Sequence, residues 1–266
     1  MRAARALATL DEVGLGDHVC WRMGPAATFA DARAFLADGA LYGDKVVVIG
    51  SLGTAEIERD GHPSTSVVLD LPDALDMDMM LAAVRREVHT ATREGFRSVR
   101  VLTERMPPTA ASEAEELLAG ELKLDEFASE SGAMVVCAFR PSRWDRTTLD
   151  GVACMHPHEV GTRAARPSFR MFSTGANRWS VDGVVDFEGA AAFNAVVRAA
   201  VRKSSMVKLG FHDLELIDAA GMQALVDAAR HLPGHRVVVE GANETVLLCW
   251  ELAGYAAADL PVVMAT

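Results

Sequence analysis

Ala111-Ser-Glu-Ala-Glu-Glu-Leu-Leu-Ala-Gly-Glu-Leu-Lys-Leu-Asp-Glu-Phe-Ala-Ser129, followed after a short break by Ala133-Met-Val-Val-Cys-Ala-Phe139, decides the fold class. The first stretch has the spacing of an amphipathic helix, and the second is a continuous apolar run of strand length. A strand that is apolar on nearly every residue has to be covered on both faces, which is the situation inside a parallel sheet. The same alternation recurs upstream. Thr28 and Asp31 have the spacing of a capping box, with Asp in place of the usual Glu. Phe29, Ala32, Phe35 and Leu36 then share a helical face, Gly39 and Gly43 are stop signals, and Lys45-Val-Val-Val-Ile49 is a buried-type strand. Met77 to Glu94 has helical spacing, and Ser98 to Thr103 is the next strand. Helices alternating with apolar strands predict an α/β fold with a mainly parallel sheet flanked by helices.

Downstream the pattern breaks and then resumes on a smaller scale. Glu159 to Ser173 carries Arg163, Arg166, Pro167 and Arg170 without a clean period and is expected to be the connection between domains. Beyond it, Arg178 to Phe187 suggests a hairpin turning at Asp182-Gly183. Phe193, Val196, Val197, Ala200 and Val201 mark a helix, Met206 to Phe211 a strand, and Met222, Leu225, Val226 and Ala229 a second helix. His235 to Glu240 is a further strand, and Thr245 to Ala253 a closing helix. The expected division is therefore a domain over 1–162, a linker over 163–174 and a smaller α/β domain over 175–266.

Composition narrows the function. Half of the 266 residues are hydrophobic and 24% are charged, a globular balance. No apolar run approaches the roughly 20 residues of a spanning helix. Met1 to Leu10 lacks the hydrophobic region of a signal peptide, so the expected location is the cytoplasm, away from the membrane. A formal net charge of −11 argues against nucleic acid as a partner. Cys20, Cys137, Cys154 and Cys249 form no CxxC pair and are expected to be buried free thiols.

Two family resemblances add to this reading. Gly16-Asp-His-Val-Cys-Trp21, Phe35 to Ile49, Arg100-Val-Leu-Thr-Glu-Arg105, Leu117 to Phe127, Cys137-Ala-Phe-Arg-Pro-Ser-Arg-Trp144 and Leu149 to Pro157 occur in the order expected of the MEDS sensory domain, which this region resembles. That resemblance implies a RecA-like sheet and a sensory role. Val207 to Leu225, containing Ile217-Asp-Ala-Ala-Gly221, resembles the signature of STAS domains, the fold of anti-sigma-factor antagonists. Val181 to Phe187 and Leu252-Ala-Gly-Tyr255 fit the same family. The resemblance implies a partner surface at Asp218, Ala219, Ala220, Gly221, Met222 and Leu225, and as partner an anti-sigma factor or a GHKL-type kinase-like protein. The family's phosphorylatable serine is Ala219 here, and alanine has no oxygen to phosphorylate. On the residues alone, Asp218 is also an ordinary N-cap for the following helix.

The remaining chemistry is sparse. No Gly-Lys dipeptide exists in the chain, so a phosphate-binding loop lacks its cation and nucleotide hydrolysis is not expected. Neither a Gly-x-Ser-x-Gly elbow nor an HExxH motif is present. His18, Cys20, Glu104, Cys137 and His156 are the candidate ligand-binding residues. Imidazole and thiolate can hold zinc, iron or copper, but these separations are not those of a zinc finger. Polar fixtures of a small-molecule pocket are therefore preferred over a metal site. Cys154, His156 and His158 repeat the two-residue spacing of His18 and Cys20. The expected function is a non-enzymatic signalling regulator that senses a small ligand and binds a protein partner. The alternatives are an assembly scaffold that self-associates, as a homodimer for instance, and a degenerate nucleotide-binding protein.

Overall fold

The computed structural model describes residues 3–24, 29–50, 66–69, 77–161, 167–257 and 259–265. Thr28 and residues 163–166 of the expected linker lie outside them.

The N-terminal sheet contains β1 (Arg5–Leu7), β2 (His18–Arg22), β3 (Lys45–Ile49), β4 (Ser66–Leu69), β5 (Val99–Glu104), β6 (Met134–Phe139) and β7 (His158–Val160). Their order is β1-β7-β2-β6-β5-β3-β4, and every pairing is parallel. Helices α1 (Arg33–Tyr42), α2 (Met77–Glu94), α3 (Ala111–Ser131) and α4 (Arg146–Ala153) form the crossovers. Successive side chains point to opposite faces of a strand, so each strand feeds two cores. Val46, Val48, Leu102 and Val136 meet Phe35 and Leu36 of α1 on one face. Val47, Ile49, Val101, Val135 and Cys137 meet Met80, Val84, Leu118, Leu122 and Val152 from α2, α3 and α4 on the other. The apolar runs at β3 and β6 are legible because both of their faces are dry.

The C-terminal sheet is smaller and mixed. It is built from β8 (Phe169–Gly175), β9 (Arg178–Val185), β10 (Met206–Ile217), β11 (Arg236–Glu240) and β12 (Val262–Ala265), in the order β12-β11-β10-β9-β8. Among the described residues only the β8–β9 pair is antiparallel. Helices α5 (Ala190–Lys203) and α6 (Ala219–Arg230) cover it, and α7 (Glu244–Leu252) lies between β11 and β12 in the chain.

Two expectations about the junction need correction. The segment from Phe169 onward, expected to be linker, is strand β8, because its Phe169, Met171 and Phe172 have core to bury in. The hairpin turns at Gly175 to Arg178, not at Asp182-Gly183. Asn177 takes the left-handed conformation there (φ 55°). Gly183 lies inside β9 at φ +94°, and a Cβ on it would stand 2.4 Å from the Ser168 carbonyl oxygen, so the glycine marks a close strand approach.

Helix α3 joins the two sheets. It packs against β8 and α5 as well as against the N-terminal sheet. Glu115 pairs with Arg198 at 3.0 Å and with Arg202, and Glu126 pairs with Lys203. One apolar core runs from Cys20 and Val135 through Leu122 and Phe127 to Phe169, Trp179 and Phe193. The two sheets are thus packed together, not merely strung on a tether.

Candidate functional site

Helix α3 carries the residues around which the polar centre forms. Leu117, Glu121, Leu124 and Ala128 follow one another at helical spacing and are all buried, so a carboxylate occupies a place in an apolar stripe. Gly120 lets this part of the helix approach the start of α2: a Cβ there would lie 2.4 Å from Met77 Cγ. Glu121 and Asp125, one turn apart, are both fully buried.

The sheet supplies the partners. His18 on β2 and Cys137 on β6 come from adjacent strands paired in register, His18 opposite Val135 and Cys20 opposite Cys137. His156 comes from the turn between α4 and β7. His18, Glu121, Cys137 and His156 are each fully buried, and their donor atoms all lie within 4.8 Å of one another. His18 Nε2 is 3.3 Å from Glu121 Oε2 and 3.4 Å from Cys137 Sγ. Cys137 Sγ is 3.6 Å from Glu121 Oε2, and His156 Nε2 is 3.5 Å from the same oxygen. The two imidazole centroids are 4.0 Å apart, and Phe139 closes on His156 edge-on.

A further ring of contacts fixes these groups. Arg105 Nε donates to Glu121 Oε1 at 3.0 Å. Asp125 Oδ1 lies 3.5 Å from His18 Nδ1. His156 Nδ1 donates to the Val152 carbonyl at 2.9 Å, which leaves the Nε2 lone pair turned inward. Burial opposes ionisation of Glu121, but the charge of Arg105 and then the hydrogen bond from His18 hold its carboxyl far below the usual range. Burial also disfavours the His18 cation, yet Asp125 and Glu121 outweigh it and raise its pKa. Burial, followed by the charge of His18, pushes His156 well below its ordinary value and keeps it neutral. Burial and then Glu121 push the Cys137 thiol up. His156 Nε2 finds no hydrogen-bond partner among the described residues. A buried polar atom in that state costs about 1–3 kcal/mol.

Of the five residues expected to bind a ligand, the structure brings together His18, Cys137 and His156. Cys20 is buried two residues along β2 from His18, and burial, ahead of the charge on Glu159, pushes its thiol up. Glu104 is elsewhere: at the end of β5 its carboxylate accepts from Arg140 at 2.8 Å. His158 faces Asp17 at 3.0 Å, and the Cys154 thiol, pushed up to about 12 by burial, stays apart from the centre. Cys249 is exposed, unlike the other three cysteines. Glu121, Arg105 and Asp125 were not singled out from sequence, although the position of Glu121 in the Leu117–Leu124–Ala128 stripe is a signal for it.

The centre is also tied to the C-terminal sheet. Ser173 N on β8 donates to Asp125 Oδ2 at 2.6 Å, and Arg170 on the same strand donates to the His156 carbonyl at 2.7 Å. Arg170 also holds Glu159 at 2.9 Å, and Glu159 in turn faces Arg22 at the same distance.

Residues 17–157, more than half of the chain, match the model of the MEDS family, the MEthanogen/methylotroph, DcmR Sensory domain. The chain belongs to the MEDS family. The matched region begins one residue before His18 and ends one residue after His156, so the buried centre lies wholly inside the MEDS domain. A signalling or sensory role follows from that membership. None of the curated proteins compared with the chain matches it. No helix among the described residues is long and apolar enough to cross a membrane.

At the other end, the surface expected at Asp218 to Leu225 is the start of α6. Asp218 is its N-cap, accepting from Gly221 N at 2.9 Å. Met222 and Leu225 point into the core, at 2% and 0% exposure, so a partner cannot reach them. They recur at helical spacing with Val226 and Ala229, the face that must be buried. Gly221 is buried as well: a Cβ there would lie 2.7 Å from the Val185 carbonyl oxygen. Ala219 is exposed, and Asp218 and Ala220 are half-buried. Leu216, near the end of β10, is 49% exposed, and Phe187, two residues past the paired end of β9, is 73% exposed.

Proposed function

We propose that this chain is a signalling regulator, not an enzyme, in which the buried centre of the MEDS domain sets the state of a protein-docking surface on the C-terminal domain. The observation that carries this reading is β8. One strand hydrogen-bonds Asp125 through Ser173 N and the His156 carbonyl through Arg170, so it touches both flanks of the centre. It then pairs along its length with β9, whose last residue, Val185, accepts the amide of Asp218 at 3.0 Å. A change at the centre has a short bonded route to the cap of α6.

The C-terminal domain is proposed to work as a STAS-type module, with an anti-sigma factor or GHKL-type kinase-like protein as partner. Ile217-Asp-Ala-Ala-Gly221 supports this at the level of sequence. The exposed apolar Leu216 and Phe187, which follow the same end of the β9–β10 pair as Ala219, support a docking role for that end of the sheet. Ala219 removes phosphorylation as the control, which leaves the sensory domain to supply it. The test is a binding titration of the full chain against the GHKL-type and anti-sigma proteins of its host, repeated with Ala219→Glu. Loss of binding in the variant supports the reading, and no binding by the unaltered chain contradicts it. A second reading, self-association, is favoured by Leu248 and Leu252 on α7, 55% and 78% exposed. Light scattering separates a homodimer from a monomer that waits for a partner.

A further inference from the structure

We propose that His18, Glu121, Cys137 and His156 form a closed, four-coordinate site for one divalent transition-metal ion, with zinc the best fit. Such an ion would be what the sensory centre holds, so the proposal rests on the sensory reading given above.

Geometry is the first argument. Bonds of about 2.0–2.1 Å to nitrogen or oxygen and about 2.3 Å to sulfur place the donors of a tetrahedral site about 3.3–3.8 Å apart. Four of the six donor separations at this centre are 3.3, 3.4, 3.5 and 3.6 Å, and all six lie within 4.8 Å. Donor atoms this close leave room for a single ion among them and none for an organic molecule.

Chemistry is the second. His156 donates through Nδ1 to Val152, so its Nε2 presents a lone pair to the Glu121 carboxylate oxygen at 3.5 Å. Two electron-rich atoms that face each other in a dry interior repel unless a cation lies between them. A thiolate and a carboxylate supply two negative charges, which match a dication, and two imidazoles complete a donor set suited to zinc or its borderline neighbours. Hard oxygen-seeking ions such as calcium or magnesium would not select sulfur and nitrogen.

The surroundings are the third. Ligating histidines almost always use their second nitrogen on a carboxylate or a carbonyl. His18 has Asp125 at 3.5 Å and His156 has the Val152 carbonyl. Arg105 holds the other oxygen of Glu121. Four protein ligands leave no position open for a substrate, which separates this site from a catalytic one. Because Asp125 and the His156 backbone also carry the bonds to β8, occupancy would bear directly on the docking domain.

The test is metal analysis of the purified full-length chain, followed by cobalt(II) titration of the chelator-treated protein under reducing conditions. Cys249→Ser serves as the background, since Cys249 is the exposed cysteine. The expected result is one zinc per chain and a near-ultraviolet thiolate-to-cobalt charge-transfer band that saturates at one equivalent. The band should persist in Cys249→Ser and vanish in Cys137→Ser. A folded, metal-free chain that gives no cobalt band overturns the proposal, as does a band that survives Cys137→Ser. Should Cys137→Ser fail to fold, Cys20→Ser and Cys154→Ser decide in the Cys249→Ser background: the band should persist in both, and its loss in either overturns the proposal. A chain that stays metal-free yet binds its protein partner would overturn the site alone. A chain that holds the metal but binds no partner would overturn the docking reading alone.

Discussion

Helices α3 and α6 both stand where function is proposed, and they handle polarity in opposite ways. Helix α3 turns Glu121 and Asp125 inward to zero exposure, and its middle is buried nearly all round because it is wedged between two sheets. Helix α6 keeps only apolar residues on its inner face and presents Asp218 and Ala219 at its start. A buried carboxylate needs bonded partners in a fixed geometry, so the first helix can hold a specific centre. The second satisfies its half-buried cap locally, through Gly221 N, and leaves Ala219 exposed. Under the proposed function, the first helix serves internal recognition and the second external recognition.

That contrast breaks if Glu121 proves dispensable. Glu121→Ala removes the partner of Arg105 and leaves a buried charge unpaired, so urea denaturation should show a loss of about 3–5 kcal/mol. A loss within ordinary surface values would mean that the centre is not a bonded unit. Leu225→Ala should cost about 2–5 kcal/mol by the same measurement, as a cavity in a packed core does. It should leave the partner affinity of the folded fraction unchanged, because Leu225 faces inward.

The comparison sharpens with milder changes. Asp125→Asn keeps the shape but weakens the support of His18 Nδ1. Competition with a chromophoric chelator should show metal affinity lower by about 10–100-fold. Ala219→Glu should be the gentlest to the fold. A negative charge in the first turn of α6 suits the helix dipole, and stability should stay within about 1 kcal/mol by thermal melting. Partner binding, by contrast, should fall measurably.

Elements are legible in the sequence where both faces of a strand are dry. Lys45–Ile49 is assigned without error, and β6 is displaced by one residue at its start, because four to six successive apolar residues leave no competing assignment. Short strands such as β1 and β7, three residues each, give no pattern to detect. Residues 169–174 resisted assignment because β8 mixes core aromatics with Arg170, whose charge is neutralised by Glu159 from the other domain. No local pattern announces such a distant partner. The centre was partly legible for the same reason: histidine and cysteine draw attention, whereas Glu121 on a helix rich in acidic residues resembles a solvated face. Only its register with Leu117 and Leu124 shows otherwise. Glu104 misled because its partner, Arg140, is 36 residues away in the chain.

Coupling of the MEDS centre to the cap of α6 through β8 is the step on which the proposed function depends. Hydrogen exchange of the full chain, compared between the unaltered protein and Glu121→Gln, tests it most directly. Glutamine keeps the size of the side chain and removes its charge. Faster exchange is expected at the Ser173 amide and at residues 218–222, in addition to the neighbourhood of residue 121. Faster exchange confined to residues 17–161, with the C-terminal sheet and the start of α6 unchanged, would contradict it.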